Sequence, residues 1–183
     1  MQLAKQRHWL HSFGASKGFS MIELLVAVLV MGIGVLGVTG LQVVSLQNNR
    51  AALMQADATQ LAYNMMDRIR ANPAGNPRGQ AYNGLALDAD PPAGGNCVTN
   101  NCSAVQMVNF DQALWKCQLG KFNTHDECVR LRNDALLPAD TLQPGLPEGD
   151  GAIEVTGAGM IQVRVQWQGL DGNLRTVVVE SQG

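Results

Sequence analysis

Lys17-Gly18-Phe19-Ser20-Met21-Ile22-Glu23-Leu24-Leu25 opens the most apolar stretch of this 183-residue chain. Its continuation from Leu24 to Leu41 holds only aliphatic residues, methionine and glycine, apart from Thr39. As a helix rising about 1.5 Å per residue, that run reaches roughly 27 Å, close to the ~30 Å hydrocarbon core of a bilayer. The sequence has one such run, and Glu23 is the charge at its start.

Upstream, residues 1–18 carry Lys5, Arg7, Lys17, His8 and His11, with no acidic residue and no apolar run of their own. A basic flank of this kind stays on the cytoplasmic side of a membrane span. A secretory signal is cut after its apolar stretch, behind small residues. Here the small residue, Gly18, precedes the stretch, so cleavage after it discards the basic leader and leaves the apolar helix on the mature chain.

Gly18, an aromatic residue, a hydroxyl residue and Glu23 at this spacing, beside a membrane span, resemble the leader junction of type IV prepilins and type II secretion pseudopilins. The resemblance implies that a prepilin peptidase cuts between Gly18 and Phe19 and methylates the new amino group of Phe19, making Glu23 the fifth mature residue. A carboxylate within the bilayer costs several kcal/mol unless it is paired or close to the interface. The freed ammonium of Phe19 on an adjacent subunit is a suitable partner for Glu23, and pairing them would set the axial register of a sliding helix. The domain plan that follows is a cytoplasmic leader over 1–18, a transmembrane assembly half over 19–45 and a periplasmic globular part over 46–183.

Gly32-Ile-Gly34-Val-Leu-Gly37 matches the dinucleotide-binding fingerprint numerically, with Asp57 at a suggestive distance. That fingerprint needs a strand, a turn, a helix and a second strand bearing the acid, whereas Asp57 falls inside a long helical pattern. Gly32, Gly34, Gly37 and Gly40 read instead as helix-weakening, close-packing positions. Many pilins have a proline where Gly40 stands, so the chain departs there from the major-pilin pattern.

Past the apolar run, Met54, Ala58, Leu61, Met65 and Ile69 recur at three- and four-residue spacing, with Arg50, Gln55, Asp57, Gln60 and Arg68 off that stripe. The helix thus leaves the membrane as an amphipathic one. Asn72-Pro73 ends it, giving a first helix over residues 20–71. Residues 72–101, rich in proline, glycine and asparagine, read as loop, and Asp88 and Asp90 as solvated acids without a metal. Ser103-Ala-Val-Gln106 is a capping box opening a second helix, with Met107, Phe110, Leu114 and Cys117 on one face.

Ile161, Val163, Val165 and Trp167 alternate with polar residues as in a half-buried antiparallel strand. A turn at Leu170-Asp171-Gly172-Asn173 returns the chain as a strand over Leu174 to Glu180, and Ile153 to Thr156 supplies a further strand. The predicted fold is α+β: a long pilin-like N-terminal helix packed on a small C-terminal antiparallel sheet, which buries apolar faces that neither could bury alone.

Cys97, Cys102, Cys117 and Cys128 all lie beyond the span, where an even count in a loop-rich, non-cytoplasmic segment favours disulfides. Three connectivities are open. The nearest pairing joins Cys97 to Cys102 and Cys117 to Cys128; zinc is the rival, although close two-residue cysteine pairs are absent. His125 reads as an exposed loop residue.

A formal charge of −2 and a pI near 5.9 exclude a nucleic-acid binder that works by neutralising many phosphates. No nucleophile, base and orienting group form a recognisable motif, so an interaction protein without cofactor or catalytic residues is expected. Arg68-Ile-Arg70-Ala-Asn72-Pro73, Phe110-Asp111 followed by Trp115, Leu146-Pro147-Glu148-Gly149 and the strand ending at Trp167 resemble the PilV family of type IV pilus minor pilins. That resemblance implies an inner-membrane protein that joins FimU-, PilW-, PilX- and PilE-like minor pilins and a large tip adhesin in the complex that primes the pilus, ends at its extracellular tip and supports twitching motility and adhesion. The alternatives are a minor pseudopilin of type II secretion, a membrane-tethered periplasmic enzyme or sensor, and a major pilin.

Overall fold

The computed structural model describes residues 18–72, 77–138 and 145–182. Residues 1–17 of the basic leader and Pro73 lie outside the described residues. The chain forms two compact units, Met1–Ser45 and Leu46–Gly183. Helix α1, Met21–Ala71, runs unbroken through both. It is followed by a 3₁₀ helix at Pro77–Tyr82, α2 at Ala104–Leu119, α3 at Asp126–Asn133, and strands β1 (Asp150–Val155), β2 (Met160–Gln168) and β3 (Leu174–Gln182).

In the first unit every side chain of α1 is exposed, and the most apolar window of the helix has none of its residues buried. A helix that is apolar all round and uncovered by protein is suited to lipid. A Cβ at Gly32, Gly34, Gly37 or Gly40 would meet nothing, and the helix passes through all four without a break.

In the second unit α1 buries one stripe: Ala58, Ala62, Met65, Met66 and Ile69. Met54 and Leu61 flank it, half-buried. Opposite stands a three-stranded antiparallel sheet in the order β1-β2-β3. Its inner face presents Ile153, Val155, Ile161, Val163, Val165, Trp167 and Val179 to the core that this stripe joins. Ala58, Ala62, Met65 and Met66 are fully enclosed in this shared core, where unbranched methionine adapts to irregular surroundings. β2 alternates half-buried and buried residues from Met160 to Trp167 because it is central, whereas β3 buries only Val179.

Helix α2 starts where its capping box demands. The Ser103 hydroxyl accepts from the Gln106 N–H at 3.3 Å, and the Gln106 side chain accepts from the Ser103 N–H at 2.8 Å. The sequence pattern shows one apolar face, and the structure uses two. Val108, Trp115 and Leu119 join the main core, while Phe110, Ala113, Leu114 and Cys117 form a second cluster with Cys128, Leu131 and Leu137. The Trp115 indole N–H donates to the Leu61 carbonyl of α1 at 2.9 Å, which satisfies its polar atom inside the core.

Two sequence expectations need correction. Residues 72–101 are not all loop, since Pro77 starts a turn of 3₁₀ helix that plants Tyr82 in the core, and Leu85 bridges to Ile153 of β1. His125 is no loop ornament: it caps α3, its Nδ1 accepting from the Glu127 N–H at 3.2 Å. Eight residues with only Cys128 and Leu131 buried are too few to show a helical period, so α3 depends on its surroundings. The Cys117–Cys128 disulfide ties it to α2. Glu127 ties it to the loop before α2: burial works against its charge, but the hydrogen bond from Arg130, the Gly94 N–H and the Arg130 charge prevail and hold it below the usual glutamate range. Cys97 and Cys102 close the loop before α2.

The motif Leu146-Pro147-Glu148-Gly149 seals the end of α2. Leu146 N–H donates to the Leu119 carbonyl at 2.8 Å, Lys121 N–H to Gly149 at 3.0 Å, and Gln168 N–H to Pro147 at 2.8 Å. The next glycine, Gly151, leaves no room for a side chain, because a Cβ there would lie 2.3 Å from the buried Trp115 ring. Gly151→Ala must push that ring or β1 aside. The expected cost is about 1–3 kcal/mol, or a Tm lower by about 3 °C or more, in thermal unfolding of the detergent-solubilised chain followed by tryptophan fluorescence. An unchanged Tm would contradict this packing.

Candidate assembly site

The N-terminus of α1 is built from Ser20, whose carbonyl accepts from the N–H groups of Glu23 at 3.0 Å and Leu24 at 3.2 Å. Glu23 therefore stands in the first turn, where the positive end of the helix dipole favours a carboxylate. Phe19, 78% exposed, and Gly18 lie just before the helix, with open space around the Gly18 backbone. From Leu24 to Asn49 no charged residue follows, so Glu23 is the one formal charge of the apolar half of α1.

At the other end of α1, residues from separate motifs meet. Arg68 donates to Asp111 Oδ1 at 3.0 Å, and the Tyr82 hydroxyl donates to Asp111 Oδ2 at 2.7 Å. The Asn72 amide donates to Tyr82 Oη at 3.3 Å and to the Ala104 carbonyl at 2.8 Å. The Gln112 amide donates to the Tyr82 carbonyl at 3.1 Å. Tyr82 and Asp111 are buried, and Arg68 is half-buried. Burial, opposed by the Asn72 bond and reinforced by Asp111, pushes the Tyr82 phenol well above its ordinary range. The network latches the end of α1, the turn of 3₁₀ helix and the middle of α2 to one carboxylate.

A second buried charge escapes sequence reading. Lys116 lies within the run Ala113-Leu114-Trp115-Lys116-Cys117 and is wholly enclosed. Its ammonium donates to the Ala86 carbonyl at 2.9 Å and to Asp150 at the start of β1. Asp150 also accepts from the N–H groups of Asp88 at 2.6 Å and Gly151 at 2.7 Å. Burial pulls Lys116 below the usual lysine range, with Asp150 opposing. Asp88 is not merely solvated, because Lys121 bonds to it and holds its carboxyl below the usual range. A lysine inside an apolar helical run was the signal, and its partner lies 34 residues away. Among the described residues no group of His, Cys, Asp and Glu is arranged to hold a metal ion, and all four cysteines are in disulfides.

An apolar helix long enough to cross a membrane, with one carboxylate in its first turn, continues into the stripe on which an α+β head is latched. Residues 40–113 match a family model described as Tt1218-like, type IV pilin Tt1218, and residues 14–39 match the prokaryotic N-terminal methylation motif. Side by side, the two matches support a likeness to the type IV prepilin superfamily, whose pilins are structural proteins. They support a pilin or pseudopilin role, with processing by prepilin peptidase and assembly with other pilins. The apolar helix and the motif fit anchoring in the inner membrane before incorporation. No curated protein and no solved structure matches the chain.

The latch has a pH signature. The unfolded chain loses the Tyr82 proton near pH 10 while the folded chain keeps it, so the stability this phenol contributes is full below about pH 10 and is lost as pH rises further. Tyr82→Phe should cost about 1–3 kcal/mol at pH 8, and the gap from the parent should narrow by pH 11 in urea unfolding followed by circular dichroism. A gap that does not change with pH would show that the phenol proton is not held by the fold.

Proposed function

We propose that this chain is a PilV-like minor pilin of the type IV pilus, a member of the inner-membrane complex that primes assembly and then occupies the pilus tip. In this reading prepilin peptidase cleaves between Gly18 and Phe19 and methylates the Phe19 amine, leaving residues 19–183 as the mature chain. Residues 19–45 form its assembly half and 46–183 its periplasmic head. Glu23 pairs with the Phe19 ammonium of an adjacent subunit, which neutralises both charges as the helices slide together. FimU-, PilW-, PilX- and PilE-like minor pilins and a tip adhesin are the partners, and twitching motility and adhesion depend on the complex.

The observation that carries this reading is the lone carboxylate of Glu23, exposed in the first turn of an otherwise uncharged lipid-facing half-helix. A simple tether would have no use for a charge four residues from a freed amine. The latched head adds support, since Arg68, Asn72 and Asp111 of the PilV-like motifs belong to one network.

Glu23→Ala should leave cleavage intact and cut incorporation into sheared pili about tenfold, since losing one charge pair worth about 1.4 kcal/mol shifts an equilibrium by that factor. Peptide mass spectrometry of the membrane fraction should show N-methyl-Phe19 as the first residue of parent and variant alike. Normal incorporation of the variant would sink the pairing, and an internal Phe19 in cells with the peptidase would sink the prepilin reading. Deletion that abolishes secretion of a folded exoprotein while sparing twitching would assign the chain to a type II secretion system instead.

A further inference from the structure

The two disulfides of the head stand in opposite surroundings. Cys117 and Cys128 are 3% and 0% exposed, enclosed with Phe110, Leu114 and Leu131 in the second cluster. Cys97 and Cys102 are only half-buried, and Val98, Thr99, Asn100 and Asn101 between them are exposed. No ionisable side chain occurs from Pro91 to Phe110, so this segment sets no like charge against an approaching thiolate.

The loop before α2 has its shape without the help of sulfur. At its first foot the Gly94 N–H donates to Glu127 Oε1 at 3.0 Å, and the Gly94 carbonyl accepts from Arg130. Asn96 folds the tip: its side-chain oxygen accepts from the N–H groups of Val98 at 3.1 Å and Thr99 at 3.2 Å, and its carbonyl from the Asn100 N–H at 3.2 Å. The second foot is the capping box of Ser103 and Gln106. With both feet and the tip held by hydrogen bonds, the two cysteines stay neighbours when their bridge is opened. The other bridge has no such independence, because Cys128 is one of the two buried residues of α3, and its sulfur is reached only when α3 leaves α2.

We propose that Cys97–Cys102 is a reversible thiol–disulfide exchange site for an exposed dithiol, while Cys117–Cys128 is a closed structural bridge. The attacking thiolate bonds to Cys97 Sγ, and Cys102 leaves as a thiolate whose charge the adjacent start of α2 favours. The second thiol of the partner, deprotonated, attacks the mixed disulfide and releases Cys97. Two electrons pass to the bridge, the partner becomes a disulfide, and its two protons end on Cys97 and Cys102. The reverse sequence, with a disulfide partner, closes the ring again. The head thereby changes redox state on one loop and keeps its fold.

The test treats the full chain in detergent with graded dithiothreitol, traps thiols with N-ethylmaleimide and locates them by peptide mass spectrometry. Cys97 and Cys102 should be labelled at least about tenfold faster than Cys117 and Cys128, whose sulfurs react only from an opened state. When only the first pair is reduced, hydrogen exchange of α2 and β2 should match that of the oxidised chain, and oxidised glutathione should restore the Cys97–Cys102 bridge alone. Equal rates for the two bridges overturn the proposal, as does reduction of Cys97–Cys102 that strips α2 and β2 of protection, or reoxidation into mixed pairings. The double variant Cys97→Ser, Cys102→Ser should fold with α2 protected and Cys117–Cys128 intact. Failure of that variant to fold would make the exposed bridge a structural one and sink its role in exchange.

Discussion

One helix has to satisfy two solvents. The backbone of α1 answers both in the same way, because each interior N–H is bonded four residues back whether lipid or water lies outside. The side chains differ: all-round apolar from Leu24 to Leu41 apart from Thr39, then a single buried stripe from Ala58 to Ile69. Everything downstream is an answer to that stripe. The three-stranded sheet covers it, α2 wedges beside it through Trp115 and Leu119, and the loops run where that packing leaves them.

Buried charge gives the head its uniqueness. A small apolar core tolerates sliding, but Asp111 and Lys116 do not, because displacing either from its partners leaves an uncompensated charge or hydrogen-bonding group inside the protein. Asp111 gathers Arg68 and Tyr82, with Asn72 bonded to the Tyr82 hydroxyl. Lys116 and Asp150 join α2 to the first strand. The two pairs sit five residues apart on α2, so this helix carries the register of the head relative to its section of α1.

The distribution of exposed apolar surface follows the same division. Along the apolar half of α1 it is continuous, as lipid requires. In the head it is broken into separate residues, among them Leu53, Val98, Val105, Leu170 and Leu174, and on the outward face of the sheet Gln162 bonds to Glu180 and Gln166 to Thr176.

Periodicity and local chemistry determined much of this from the sequence alone. The span and its lone carboxylate, the turn of period into an amphipathic helix, the capping box at Ser103 and Gln106, and the alternation through Trp167 all rest on neighbours within a few residues, and such short-range physics is legible in a string. The tertiary structure alone decided what those elements do to one another. It turned α2 from a one-faced helix into a two-faced one, made Tyr82 a core residue in a stretch that reads as loop, and raised His125 from a loop position to a helix cap. It also chose among three cysteine pairings, and it joined Arg68 to Asp111 across 43 positions and Lys116 to Asp150 across 34. The physical reason is that a buried charge is tolerable only beside its partner, and which residue becomes that partner depends on how the chain closes on itself, which no local pattern records.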